Sequence, residues 1–146
     1  MANATMEKFG YPDTLIAELE HWAVLLRPAQ VTLGSLILAA KSDVIAYGDL
    51  PAEAFAEQGE AVRRIEAALR SFCQYERINY LMLMMVDPNV HFHVIPRYEA
   101  ARQWKTLTFA DTGWPGPPSL KDAIALDGEQ IAMLRDEIRN LYCGRA

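Results

Sequence analysis

The sequence has little of what marks secreted and membrane-spanning proteins. It contains two cysteines, Cys73 and Cys143, neither in a CxxC or metal-knuckle pattern, so we expect reduced thiols rather than a disulfide. No apolar run reaches the roughly 18 residues that a membrane-spanning helix needs. The longest runs, 31–40 and 78–86, have the length of strands. Residues 1–11 have no apolar stretch behind basic residues, so no signal peptide is predicted and a cytoplasmic location is expected.

Positive charge is also scarce. The chain has 14 lysines and arginines against 19 aspartates and glutamates, a formal charge of -5 at pH 7. An acidic protein of this kind repels a long polyanion, so no nucleic-acid partner is expected. A small anionic ligand is compatible with this charge, because a single pocket can be locally positive. The 146 residues, about half of them apolar, predict one globular domain over residues 1–146.

Two helices are predicted from periodicity and capping. Apolar residues between 55 and 72 recur at spacings of seven, three, four and three, which predicts a long helix that begins near Pro51. Asp127 and Gln130 form a capping box and predict a C-terminal helix over about 128–142. A shorter helix is expected to begin at residues 13–14.

Alternating or doubly apolar segments predict an antiparallel sheet of roughly five strands. The segments are 22–26, 31–40, 77–86, 90–95 and 104–109, the last as an edge strand. Because residues 77–86 are apolar on both faces, this strand is placed in the middle of the sheet. Its methionines and Tyr80 are expected in the core. A turn at residues 87–88 joins it to the next strand as a hairpin, and the total is an α+β domain.

The segment 89–97 reads Asn-Val-His-Phe-His-Val-Ile-Pro-Arg and holds two of the three histidines of the chain. Side chains alternate between the faces of a strand, so Asn89, His91 and His93 share one face. The two imidazoles are then about 7 Å apart at the backbone, and both can contact one phosphate-sized group. One ring can attack while the other donates a hydrogen bond, which suits phosphoryl chemistry.

The spacing of the two histidines leaves other interpretations open. Both could be solvated strand residues, or both could be ligands of a zinc or iron site. A metal site needs a third ligand, and Glu99 comes later in the chain than the carboxylate of cupin-like sites. The pattern His-x-His alone therefore does not decide between these functions.

The same segment resembles the motif of the histidine triad (HIT) superfamily, in which three histidines alternate with apolar residues and Pro-Arg follows. The match is close at residues 90–97, strong over the motif region 79–97, and extends over about residues 20–118. Residues 114–115, Trp-Pro, resemble a segment of the branch related to diadenosine tetraphosphate hydrolases. The resemblance implies a HIT-like α+β fold with an antiparallel sheet of about five strands, two main helices and a C-terminal helix. It also implies a homodimer.

The resemblance implies a role for each motif residue. His91 falls on the middle histidine, the nucleophile that forms a nucleotidyl-histidine intermediate, and His93 falls on the last histidine, which contacts the phosphate. Asn89 falls on the first histidine and departs from the pattern. Its amide can orient a loop or the His91 ring, but it cannot carry a proton in the same way. Asn79 matches an asparagine that often lines the phosphate or ribose pocket.

Other positions carry weaker implications. Arg27 and Gln30 lie where relatives have a loop that contacts ribose or phosphate, and ordinary loop roles fit them equally well. Arg97 is interpreted as one half of a structural salt bridge. The hairpin turn at 83–85, Leu-Met-Met, lacks the polar groups that help relatives bind phosphate. Trp114 suits either stacking on a base or sealing a dimer surface.

The predicted function is cleavage or transfer of a nucleoside monophosphate group, with a small nucleotide as substrate and His91 attacking the α-phosphorus. Because the nucleophile is a side chain, no cofactor or metal is required, and Mg²⁺ is expected only as the companion of a polyphosphate substrate. Two alternatives stay open. One is a HIT-like protein that binds nucleotides without turnover, and the other is a metal-dependent enzyme with His91 and His93 as ligands.

Overall fold

A five-stranded antiparallel sheet, ordered β1-β2-β4-β6-β5, is the centre of the computed structural model, which describes residues 2–145. Within these residues the strands are β1 (Leu15–Glu18), β2 (Trp22–Leu26), β3 (Ala29–Gln30), β4 (Leu36–Ala40), β5 (Arg77–Leu81), β6 (His91–Arg97), β7 (Arg102–Trp104), β8 (Leu107–Phe109) and β9 (Ile124–Ala125). The helices are α1 (Ala4–Lys8), α2 (Ala52–Cys73) and α3 (Gly128–Tyr142), with 3-10 turns at Tyr47–Asp49 and Leu120–Asp122. The α+β class and the five-stranded sheet predicted from the sequence are confirmed.

One face of the sheet carries α2 and α3. Trp22 and Val94 from the strands pack there with Ile65 of α2 and Leu134 of α3 in the larger apolar core. Burial of a large apolar side chain stabilises the folded chain by about 1.5–3 kcal/mol. Because this core is the larger of the two, it supplies most of the apolar stabilisation. Both predicted helices are confirmed, including the capping box at the start of α3. No helix within residues 2–145 is both long and apolar enough to cross a membrane.

The opposite face is covered by the N-terminal segment, residues 3–11, which contains α1. Met6 and Phe9 of this segment pack on a second, smaller apolar cluster. The sheet contributes Ala23, Leu25, Ile37 and Ala39 to that cluster. Asn3 caps α1, and its amide donates to two main-chain carbonyls at and just beyond the end of β4. The segment is therefore attached to the sheet by both polar and apolar contacts.

Two predicted elements differ from the structure, one in its type and one in its position. The segment expected to begin a helix at residues 13–14 forms β1 instead, because pairing with β2 lets Leu15 and Ile16 reach apolar clusters on opposite faces. The segment 104–109 is not an edge of the main sheet. Part of it forms β8, which pairs only with β7 after a turn in which Lys105 has a φ of +57°. The fifth strand of the main sheet is therefore β1.

The predicted hairpin of β5 and β6 is confirmed, but its details differ. The first strand ends at Leu81 and lies at the edge of the sheet, so its expected position in the middle is wrong for the single chain. The residues that follow form a turn instead of continuing the strand. In that turn Met85 is 86% exposed, so its predicted burial in the core is wrong.

Candidate active site

Strand β6 places two imidazoles side by side on the face that the N-terminal segment covers. His91 pairs with Ala39 and His93 pairs with Ile37 of the neighbouring strand β4. The ring centroids of the two histidines are 5.1 Å apart, and the ring planes meet at 70°. This spacing fits the expectation that both rings can contact one phosphate-sized group.

The ring of His91 is oriented by the main chain. Its Nδ1 lies 2.8 Å from the carbonyl oxygen of Asn89. A carbonyl oxygen only accepts, so Nδ1 carries a proton, and in the neutral ring Nε2 keeps the lone pair. Among residues 2–145 this buried Nε2 has no hydrogen-bond partner, which is uncommon for a buried polar atom. His91 therefore presents a nitrogen that is chemically able to attack an electrophile.

The ring of His93 is held in the opposite tautomer. The Nε–H of Arg27 donates to Nδ1 of His93 over 3.3 Å, so Nδ1 is the acceptor and Nε2 carries the proton. Burial, and then the charges of Arg27 and His91, lower the pKa of His93 to about 4. At neutral pH His93 is therefore an uncharged hydrogen-bond donor whose Nε2–H is available to a phosphate oxygen.

This lowered pKa predicts a pH dependence of stability. The pKa of His93 is 6.5 in the unfolded chain and about 4 in the folded chain. At pH values between these two, the unfolded chain binds a proton at His93 that the folded chain does not. The free energy of unfolding should therefore fall as the pH falls from about 6.5 to about 4, by at most about 3 kcal/mol from this group. Chemical unfolding of wild type and His93→Gln across that range measures the effect, since glutamine does not titrate. Parallel pH curves for the two proteins would contradict the prediction.

Arg27 and Gln30, both expected to contact substrate, have different positions. Arg27 is half-buried beside His93, with its Nη1 donating to the carbonyl of Ala29 at 2.5 Å. The side chain of Gln30 is fully buried, and its amide accepts from Gly34 and Ser35 and donates to the carbonyls of Arg27 and Ser35. All of the hydrogen-bonding capacity of this side chain is used within the loop, which does not favour the expected contact of Gln30 with substrate, and that contact stays a prediction. Gln30 holds the loop that positions Arg27.

The side chain of Asn89 contacts the N-terminal segment. Its Oδ1 accepts from the Thr5 N–H at 3.3 Å and from the Thr5 hydroxyl at 3.0 Å, and its Nδ2 donates to the Asp43 carbonyl at 3.0 Å. The main chain of Asn89 also takes part, since its N–H donates to the Thr5 hydroxyl at 3.2 Å and its carbonyl accepts from His91. The main-chain carbonyl of Asn89 thus contacts the His91 ring, while its side chain is bonded to Thr5 and Asp43.

Asn79 lies on the same face but farther along the sheet. It pairs with Ile95, and its Oδ1 accepts from Nη1 of Arg97 at 2.7 Å. With Arg97 and Trp114 it lines a cavity of about 520 Å³ that neither histidine lines. The structure therefore brings Arg27 to His93 and places Asn79 in a pocket that neither histidine lines.

The salt bridge predicted for Arg97 is confirmed. Its Nε and Nη2 donate to the two carboxylate oxygens of Asp111 at 2.6 and 3.0 Å, and both side chains are almost completely buried. Nη2 also donates to the carbonyl of Gly116 at 2.8 Å. These contacts tie the Trp-Pro segment to the end of β6.

Sequence reasoning missed the contribution of the N-terminal segment to the site. The ring centroid of Phe9 is 5.7 Å from that of His91 and 5.7 Å from that of His93. The nearest signal in the sequence is the pair Met6 and Phe9, three residues apart, which predicts one apolar helical face. This spacing does not indicate which part of the protein the apolar face of the helix covers.

The paired histidines have no evident third metal ligand. No group of three histidine, cysteine, aspartate or glutamate side chains in the described part of the chain is arranged to hold a metal ion. The guanidinium of Arg27, next to His93, also adds electrostatic repulsion to a divalent cation at that position.

Known proteins resemble this chain in structure far more than in sequence. No protein-family model matches the sequence, and no curated protein matches it. A histidine triad protein from Sinorhizobium meliloti is 22% identical with a TM-score of 0.73, and the match covers 94% of this chain and 93% of that one. A histidine triad protein from Marinobacter aquaeolei is 23% identical with a TM-score of 0.68, and the match covers 96% of each chain.

A third solved structure is a hypothetical histidine triad nucleotide-binding protein from Sulfolobus tokodaii. It is 18% identical with a TM-score of 0.65, and the match covers 90% of this chain and 84% of that one. The protein therefore has the histidine triad fold, as its motif predicted. Its placement in the branch related to diadenosine tetraphosphate hydrolases stays a prediction.

Proposed function

We propose that the protein cleaves or transfers a nucleoside monophosphate group, with His91 as the nucleophile. The observation that carries this proposal is the pair of opposite tautomers on β6. The carbonyl of Asn89 leaves the lone pair of His91 on Nε2, and the guanidinium of Arg27 leaves the proton of His93 on Nε2. One ring can therefore attack phosphorus while its neighbour donates to a phosphate oxygen.

The proposed reaction has two displacements. In the first, Nε2 of His91 forms a bond to the α-phosphorus as the bond to the leaving group breaks, and the leaving group takes the bonding electrons. The Nδ1–H stays on the ring, so the positive charge of the nucleotidyl-imidazole is stabilised by the carbonyl of Asn89. In the second, water attacks the phosphorus as the bond between phosphorus and Nε2 breaks and its electrons return to His91. The water gives its proton to solvent, and the nucleoside monophosphate is released. An acceptor other than water gives transfer instead.

The groups beside His91 favour a leaving group that departs as a stable anion. Asn89 has no acidic proton, and the low pKa of His93 leaves it uncharged and a poor acid at neutral pH. A phosphate leaving group needs no proton, whereas an amine or an alkoxide does. Phosphoanhydrides therefore fit this site better than phosphoramidates or simple phosphoesters. No cofactor is proposed, and Mg²⁺ is proposed only as the companion of a polyphosphate.

Turnover of a nucleotide panel tests this function. The panel contains diadenosine polyphosphates and adenosine phosphoramidates, each incubated with and without a chelator. We expect release of AMP, faster from the polyphosphates. Nucleotide binding by a folded protein without any product would favour the non-catalytic alternative. Loss of all turnover with a chelator, for substrates that do not themselves bind Mg²⁺, would favour a metal-dependent enzyme.

A homodimer is proposed on the basis of the edge of the sheet. Strand β5 (Arg77–Leu81) pairs with β6 on one side and, among residues 2–145, has no neighbouring strand on its other side. An unpaired edge of this kind can pair with the same strand of a second copy. Sedimentation velocity should give the mass of two chains at micromolar concentration, and a concentration-independent single-chain mass would contradict the dimer.

A further inference from the structure

His91 is closed off from solvent, although the proposed reaction needs a phosphate group at its Nε2. The exposed fraction is 0% for His91 and 6% for His93. Phe9 lies against both rings, with centroids 5.7 Å from each, and is itself only 8% exposed. A group that covers Nε2 must therefore move before a substrate can reach it, and Phe9 is placed against both rings.

That element is the N-terminal segment, residues 3–11. Its polar contacts are with residues that surround the two histidines and not with the imidazole rings. Asn3 donates to carbonyls at the end of β4 at 2.9 and 2.8 Å, and Lys8 forms a salt bridge with Asp87 of the hairpin turn at 2.9 Å. None of these contacts uses a polar atom of either imidazole.

A third attachment joins Thr5 to Asn89. The two residues share three hydrogen bonds, of 3.0, 3.2 and 3.3 Å, and all of them end on the residue whose carbonyl orients His91. Oδ1 of Asn89 accepts two of these bonds while its Nδ2 donates to Asp43. A neutral imidazole has one donor and one acceptor and could not make all three side-chain bonds. The contacts with Thr5 thus give a physical reason for an amide at position 89.

We propose that residues 3–11 are a lid over the active site and that the Thr5–Asn89 pair is its latch. In the closed state Phe9 covers both imidazoles. A nucleotide that binds only the open state displaces Phe9 and breaks the latch, and its apparent affinity is reduced by the fraction of protein that is closed. The proposal rests on His91 as the reacting group of the proposed function, but it concerns access to that group and can be measured without turnover.

Chemical modification of His91 measures the opening directly. Diethyl pyrocarbonate acylates uncharged imidazoles that solvent can reach, and peptide mass spectrometry reports the rate at each histidine, with His21 as an internal reference. Thr5→Val keeps the shape of the side chain but removes its hydroxyl bonds. We expect about tenfold faster modification of His91 and no change at His21. Glu7→Gln, an exposed change in the same helix, should leave both rates unaltered.

A reversible staple provides the second test. Oγ1 of Thr5 lies 3.0 Å from Oδ1 of Asn89, so the two side chains are in contact and these positions are chosen for a disulfide. The variant Thr5→Cys, Asn89→Cys is made in a Cys143→Ser background, and the same polypeptide is compared oxidised and reduced. Any loss of stability caused by the substitutions is present in both redox forms.

The oxidised staple is expected to block modification of His91, and reduction is expected to restore it. Equal rates in the two redox forms, together with an unchanged rate for Thr5→Val, would overturn the lid. Turnover is read separately. A redox-dependent modification rate without any product would support the lid and count against the proposed function. Turnover by both redox forms with equal modification rates would support the proposed function and count against the lid.

Discussion

Replacement of His91 by glutamine is expected to abolish nucleotide turnover while the protein stays folded and binds nucleotide. Glutamine can still donate a hydrogen bond toward the Asn89 carbonyl, but it offers no nitrogen lone pair to the α-phosphorus. Loss of a covalent nucleophile of this kind should lower kcat by at least about a thousandfold. The measurement is AMP release from the best substrate of the panel, with nucleotide-dependent thermal stabilisation as the test of binding.

The matched control for this change is His21→Gln. His21 lies in the turn between β1 and β2, away from β6, so its replacement should leave kcat unchanged. If His91→Gln retained the turnover of wild type, the assignment of the nucleophile would be wrong. Loss of both turnover and nucleotide binding would indicate a disturbed site, and His91→Asn would then serve as a second variant.

Replacement of Asp111 by alanine is expected to lower the free energy of unfolding by about 3–5 kcal/mol. The carboxylate of Asp111 is 1% exposed and accepts two bonds from Arg97, whose side chain is 5% exposed. Removing one partner leaves a buried guanidinium without its counter-charge, and desolvation of that charge is the larger part of the loss. Urea unfolding followed by tryptophan fluorescence gives the value.

An exposed ion pair provides the comparison for Asp111. Asp136 on α3 contacts Arg135 at 2.8 Å with more than half of its side chain exposed, and such pairs contribute about 0–1 kcal/mol. Asp136→Ala should therefore change stability little. If Asp111→Ala cost no more than Asp136→Ala, burial of the Arg97 pair would not be the stabilising feature described above.

The features predicted correctly from the sequence are those set by neighbours in the chain. His91 and His93 are two residues apart, and alternation along a strand was enough to place their rings together. The long helix α2 and the capping box at Asp127 likewise depend on residues within a few positions of each other. Local spacing determines each of these arrangements, so no knowledge of the tertiary structure was needed.

The features that were missed depend on contacts between distant parts of the chain. Arg27 reaches His93 across 66 positions, and Thr5 reaches Asn89 across 84. Neither contact can be predicted from residue type, because other arginines and threonines of the chain could form the same hydrogen bonds. Residue type was also a poor guide at Gln30. A glutamine can contact a ligand, but the hydrogen bonds of this side chain are all made to the surrounding loop.

Strand β5 shows how a pattern that runs past the end of a strand led to a wrong position. Most of the residues that made segment 77–86 apolar on both faces lie beyond Leu81, in the turn, and within residues 2–145 the strand has a neighbour on one side only. The prediction and the structure agree if a second copy covers the free edge. The sedimentation experiment therefore also tests whether a second copy is present to cover this edge.

The most direct test of the central claim is to trap the intermediate. Wild type is mixed with a substrate from the panel in single turnover, quenched in alkali, which preserves phosphorus–nitrogen bonds to histidine, and digested for peptide mass spectrometry. We predict a nucleoside monophosphate on the peptide that contains His91, localised to that residue, which forms before product and decays as product appears. An adduct on another residue, or consumption of substrate with no adduct on His91 at any time, would contradict the account.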